Sequence, residues 1–129
     1  MAARVLVVED SPAMRTFVTA ALESSGPYDV TQAPSGFEAL KILPHGQYDL
    51  IITDINMPDI NGLELVQFIR KSDRHRSTAL IIISTQSSEK DRSRGLSLGA
   101  DEYLPKPLTI DMLLSAVDRL LSSRPVANG

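Results

Sequence analysis

Four stretches of the chain are apolar at nearly every position: Val5–Val8, Leu50–Ile52, Leu80–Ile83 and the shorter Tyr103–Leu104. A strand with one wet face alternates polar with apolar residues, whereas a strand covered on both faces reads as an unbroken apolar run. The four runs are therefore expected to be strands buried between two layers. Asp29–Ala33 is weaker, but it holds enough β-forming residues to count as a further strand. Between the runs the period changes. Met14, Phe17, Val18, Ala21 and Leu22 fall at i, i+3, i+4, i+7 and i+8, one apolar stripe of a helix. Ser11 before Pro12 predicts its cap and first position, and Gly26-Pro27 its end. Phe37, Leu40 and Leu43 predict a second helix stopped by Pro44. Leu65, Val66 and Ile69 predict a third, and Ile110, Leu113, Leu114, Val117, Leu120 and Leu121 predict a fifth behind a Thr109 cap. The fourth, from about Ser88 to Leu98, has few apolar residues beyond Leu96 and Leu98, so it is expected to pack lightly and move easily.

Strand and helix alternate five times, which predicts an α/β domain with helices on both faces of a parallel sheet. At 129 residues, with 43% hydrophobic and 22% charged positions, the chain fits one domain with a proper core. The net charge of -3 argues against a general nucleic-acid or anionic-membrane surface. The local basic run from Arg70-Lys71 to Arg74-His75-Arg76, beside Asp73, reads as a solvated loop. Cysteine is absent, which removes disulfides, thiolate metal sites and thiol nucleophiles together. No secretory signal or membrane span is legible, so a cytoplasmic location without membrane insertion is expected. Residues 123–129 read as a frayed end or the start of a linker.

In an open α/β sheet, ligands sit beyond the carboxyl ends of the strands. Glu9 and Asp10 follow the first predicted strand, Asp54 the third, Ser84 the fourth and Lys106-Pro107 the fifth. Singly, each has an ordinary structural reading: the two acids as helix caps, Ser84 as a turn residue, Lys106 as a solvated one. Together those readings fail. Carboxylates gathered at one sheet edge repel one another and need a cation, and hard oxygen ligands suit Mg²⁺. Carboxylate, Mg²⁺, ammonium and hydroxyl are what a phosphoryl group in transfer requires, because its charge spreads over the equatorial oxygens.

The motifs Val-Val-Glu9-Asp10-Ser, Asp54-Ile-Asn-Met-Pro58 with Gly62, Ile-Ser84, Gly99-Ala100 and Lys106-Pro107 resemble the response-regulator receiver family, particularly its chemotaxis-type members. The resemblance runs from about Arg4 to Leu121, within a receiver domain placed at residues 1–122. It implies a flavodoxin-like (βα)5 fold with strand order 2-1-3-4-5. It implies that Asp54 accepts a phosphoryl group from a histidine kinase or phosphotransfer protein. Glu9, Asp10, Asp54 and the backbone carbonyl of Asn56 would handle Mg²⁺, for which Mn²⁺ can substitute. Lys106 would bind the phosphate, Ser84 and Tyr103 would switch, and Asn56, Thr85 and Gln86 would set the phosphoryl lifetime. A downstream protein would then read the face of the fourth helix, fifth strand and fifth helix, with chemotaxis or motility among the candidate processes.

Three departures from the family pattern stand out. Glu9 replaces the commoner aspartate, Ser84 replaces threonine, and Thr85 stands where a small residue is usual. A haloacid-dehalogenase-like phosphatase is the main alternative chemistry. It places its nucleophile after the first strand with an acid two residues on, whereas here the nucleophile follows the third and the second position is Asn56. A degenerate receiver that only binds proteins is disfavoured because all five site residues are retained. The expected protein is a phosphoacceptor and not an enzyme acting on other molecules, a monomer or weak dimer, either free-standing or part of a longer regulator or hybrid kinase.

Overall fold

The computed structural model describes residues 2–86 and 88–122. The chain runs β1 (Ala3–Val8), α1 (Pro12–Ser25), β2 (Tyr28–Ala33), α2 (Gly36–Ile42), a 3-10 turn (Leu43–His45), β3 (Leu50–Asp54), α3 (Gly62–Lys71), β4 (Ala79–Ser84), α4 (Glu89–Ser97), β5 (Glu102–Pro105) and α5 (Ile110–Ser122). All strand pairs are parallel, in the order β2-β1-β3-β4-β5. This is the flavodoxin-like order expected above. The expected tail, 123–129, lies outside the described residues.

The unbroken apolar runs arise because successive side chains of a strand enter opposite cores. Val5, Val7, Leu50, Ile52, Ile81 and Ile83 pack with Val18 and Leu22 of α1 and Leu113 and Val117 of α5. Leu6, Val8, Ile51, Leu80 and Ile82 pack with Ala39 of α2 and Leu65, Val66 and Ile69 of α3. Residues 80–83 of β4 are wholly buried, so each side chain there contributes roughly 1.5–3 kcal/mol of hydrophobic stabilisation.

The predicted caps hold. Ser11 accepts from the Met14 amide, and Thr109 from the Met112 amide. In α4 only Gly95 is buried, in keeping with its poor apolar stripe. A Cβ on Gly95 would lie 2.9 Å from the Tyr103 ring, so the helix backbone rests directly on that ring.

Two expectations need correction. Phe37 is 55% exposed and Ile110 48% exposed, so neither belongs to the buried stripe of its helix. Both stand in the first turn, and α2 faces the core with Ala39, fully buried, and with Leu40 and Ile42 packed against the same cluster. The α-helix stops at Ile42, and the chain tightens into the 3-10 turn that contains Pro44 and buries Leu43. Finally, the basic run is not a solvated loop throughout. His75 is buried with its Nε2 2.7 Å from the Leu43 carbonyl. Arg70 donates to the carbonyls of Gly99, His75, Arg76 and Thr78 and to the Asp101 carboxylate. A guanidinium carries five donors on a rigid fork and here serves loop carbonyls that no strand reaches.

Candidate functional site

The site is built from the carboxyl ends of β1, β3 and β5, the three strands that deliver acids or a lysine. Glu9 and Asp10 leave the end of β1, Asp54 ends β3, and Lys106 follows β5. One ligand atom from each of Glu9, Asp10 and Asp54 lies within 4.8 Å of the others. Glu9 is fully buried and Asp54 is 4% exposed, while Asp10 is the most open of the three. The Lys106 ammonium stands 3.0 Å from Glu9 Oε1 and 3.4 Å from Asp54 Oδ2. Its backbone N–H donates to the Ser84 carbonyl, tying the fifth strand's end to the fourth's. The Lys106-Pro107 peptide is cis.

Asp54 and Glu9 are held from the backbone as well. Asp54 Oδ1 accepts from the amides of Ile55 at 2.7 Å and Asn56 at 3.4 Å. Glu9 Oε2 accepts from the Ser11 amide, and the Glu9 carbonyl accepts from Arg15. A Cβ on Gly62 would lie 2.1 Å from the Asp54 carbonyl oxygen, so only glycine lets α3 start this close to Asp54.

Burial pushes the Glu9 carboxyl above its ordinary range, and the Asp54 charge adds to that; the Ser11 amide and Lys106 oppose without cancelling it. Burial alone would lower Lys106, but the Glu9 bond and the Asp54 charge outweigh it, and its pKa is raised. Three carboxylates face one ammonium, so the cluster is short of positive charge. Its donors are hard oxygens. An oxygen-rich, anionic pocket with one open member fits a small divalent cation such as Mg²⁺.

The remaining predicted residues meet around the loop after β4. Ser84 is buried, and its Oγ accepts from the Gln86 amide at 2.9 Å. Tyr103 is 2% exposed and donates its hydroxyl proton to the Gln86 carbonyl. Ser84 and Tyr103 therefore hold opposite ends of one residue. The Gln86 side chain also reaches across to Asn56 Oδ1 at 3.3 Å, which joins the loops after β3 and β4. Thr85 is exposed beside them.

A sequence profile described as the response regulator receiver domain matches residues 5–118. The chain belongs to the response regulator receiver family. Chemotaxis response regulator CheY4 of Vibrio cholerae is 33% identical, with 94% of this chain and all of that one covered at a TM-score of 0.88. The receiver domain of a Pseudomonas aeruginosa sensor histidine kinase, described with a magnesium ion coordinated in its active site cleft, is 29% identical. It covers 95% of this chain and all of its own at a TM-score of 0.86. Response regulator ArlR of Staphylococcus saprophyticus is 36% identical over 97% of this receiver chain, which spans 55% of that regulator. This receiver thus spans about half the length of the first curated relatives it matches.

Two contributors escaped the sequence reading. Arg15 is one turn into α1 and looks like any solvent-facing helical arginine until its bond to the Glu9 carbonyl is seen. Asp59 sits in a run of turn residues, Pro58-Asp59-Ile60-Asn61, and its partners lie in α2. The signal for Asp59 was local: an acid three residues before a helix that already has its own cap in Asn61.

Proposed function

We propose that this receiver takes a phosphoryl group onto Asp54 from a phosphohistidine of a histidine kinase or phosphotransfer protein. The observation that carries the reading is the cluster of Glu9, Asp10 and Asp54 around one position, with Lys106 bonded to two of its members. A carboxylate oxygen of Asp54 attacks phosphorus in line, the P–N bond breaks as the O–P bond forms, and imidazole leaves. Glu9, Asp10, Asp54 and the Asn56 carbonyl would hold Mg²⁺, or Mn²⁺ in its place. The cation supplies neutralisation of the phosphoryl charge. Lys106 supplies a second fixed positive charge, and the Ser84 hydroxyl retains a proton it can donate to the new phosphoryl oxygens.

A Ser84 drawn toward the phosphoryl group would release the Gln86 amide, and Gln86 is also the residue that Tyr103 holds. That shared attachment is a physical route from the acceptor to the face of α4, β5 and α5, where a downstream protein would bind. Asn56, Thr85 and Gln86 stand where an attacking water must pass and would set the phosphoryl lifetime. We place the domain at residues 1–122, acting in the cytoplasm as a monomer or weak dimer, free-standing or within a longer regulator. Chemotaxis or motility is the process favoured by the CheY-type likeness.

Incubation with a small phosphodonor and Mg²⁺ should add one acid-labile phosphoryl group, seen as a single mass increment. Asp54→Asn should abolish it. Undiminished labelling of that variant would sink the reading.

A further inference from the structure

The loop between β3 and α3 is fastened at two places. At its base, the Gly62 amide donates to the Ile55 carbonyl at 2.8 Å. At its tip, Asp59 reaches out of the loop to the first turn of α2. Asp59 Oδ1 accepts from the Gly36 amide at 3.3 Å and from its neighbour Ile60 at 2.8 Å, while Oδ2 accepts from Phe37 at 2.8 Å. Ser35 accepts from the Glu38 amide, and its carbonyl accepts from Ala39. All four leading donors of α2 are therefore satisfied, two of them by a residue from another element. Ile60 closes the joint: a Cβ on Gly36 would fall 1.6 Å from Ile60 Cγ2, so the loop lies directly on the helix backbone.

We propose that Asp59 is a positioning residue for the cation and acceptor site, holding the loop segment that carries Asn56 in place through the first turn of α2. The inference rests on the reading above that Asn56 supplies a backbone ligand. Only Met57 and Pro58 separate Asn56 from Asp59, and proline's fixed φ leaves that linker little freedom to absorb movement. A loop released at its tip would still be tied at Gly62, but Asn56 would sample more positions. A site in which Mg²⁺ demands near-ideal octahedral geometry is sensitive to such looseness.

The test is Mg²⁺ affinity, followed through backbone amide NMR signals of the whole chain. Asp59→Ala should weaken Mg²⁺ several-fold, and Asp59→Asn, which keeps one acceptor oxygen, should fall between it and wild type. Val117→Ala, in the opposite core, should lose comparable stability yet bind Mg²⁺ like wild type. That pattern separates positioning from general loosening. Wild-type affinity in Asp59→Ala, or equal weakening in Val117→Ala, would overturn the inference while leaving the function standing. A wild-type protein that binds no Mg²⁺ would instead bring down the functional reading, and this inference with it.

Discussion

Both ends of the sheet gather charged groups, and they do so in opposite ways. Ahead of β4 and β5, Arg70 spends its donors on four loop carbonyls and the Asp101 carboxylate, and Asp101 in turn accepts from the Leu80 amide. There, the guanidinium's donors meet acceptors. Beyond the carboxyl ends of the strands, three carboxylates cluster, only two of them paired with Lys106, and one of the acids is fully buried with its pKa pushed upward by that burial. Nothing in folding demands that arrangement, because a buried charge without full compensation costs stability. The amino end shows what polar groups look like when they serve the fold. The carboxyl end shows what they look like when the fold leaves them uncompensated.

The largest effect should come from breaking the matched end. Arg70→Ala would strand several carbonyls and one partly buried carboxylate, and should cost about 3 kcal/mol, or roughly 10 °C in thermal unfolding. Labelling of Asp54 at low temperature should survive it. A loss of labelling in a variant that is still folded would mean the two ends are coupled, and the division drawn above would fail.

The unmatched end should respond in the other direction. Mg²⁺ at a hundredfold its dissociation constant should stabilise the protein by about 2.7 kcal/mol through binding the folded state alone. Asp10→Asn removes one of the repelling charges without touching the Lys106 bonds. In the absence of the cation it should raise stability by about 1 kcal/mol, and it should blunt the gain from Mg²⁺. Paired melting curves with Mg²⁺ and with a chelator decide this. An apo Asp10→Asn protein less stable than wild type would show that the acids are not in conflict.

The two ends also differ in how far the sequence discloses them. The strands were legible because burial on both faces leaves an unmistakable apolar run, and the acids were legible because they stand directly after such runs. Glu9, Asp10, Asp54 and Lys106 needed only strand ends to be located, since a parallel sheet brings those ends together. Arg70 was not legible, because its carboxylate partner lies 31 positions on and a basic run flanked by Asp73 looks solvated. Phe37 and Ile110 misled for the reverse reason. Their spacing suits an apolar stripe, but at the first turn of a helix the core contact depends on which neighbour docks there. For α2 that neighbour is the Asp59–Ile60 tip, whose bond to Phe37 spans 22 positions.

Asp59 sharpens the comparison most finely, since it lies at the carboxyl end but is matched in the manner of Arg70. Its carboxyl is held below the ordinary range, chiefly by the Phe37 amide; burial opposes this, and the amides of Ile60 and Gly36 help to outweigh it. The positive end of a helix favours the charged form in the same sense. A carboxyl with a depressed folded-state pKa binds fewer protons when folded, so its contribution is complete above the unfolded value of about 3.9. It is lost as pH falls through the lower folded value. Asp59→Asn should therefore be less stable than wild type by about 1 kcal/mol or less near neutral pH. The gap should stay level down to about pH 5 and narrow below about pH 4, as wild type loses the charge that the variant never had. Urea unfolding of both proteins across that range measures it. A gap of unchanged size at the most acidic pH where both remain folded would mean that shape and not charge holds the loop tip, and Asp59 would then move out of the matched class.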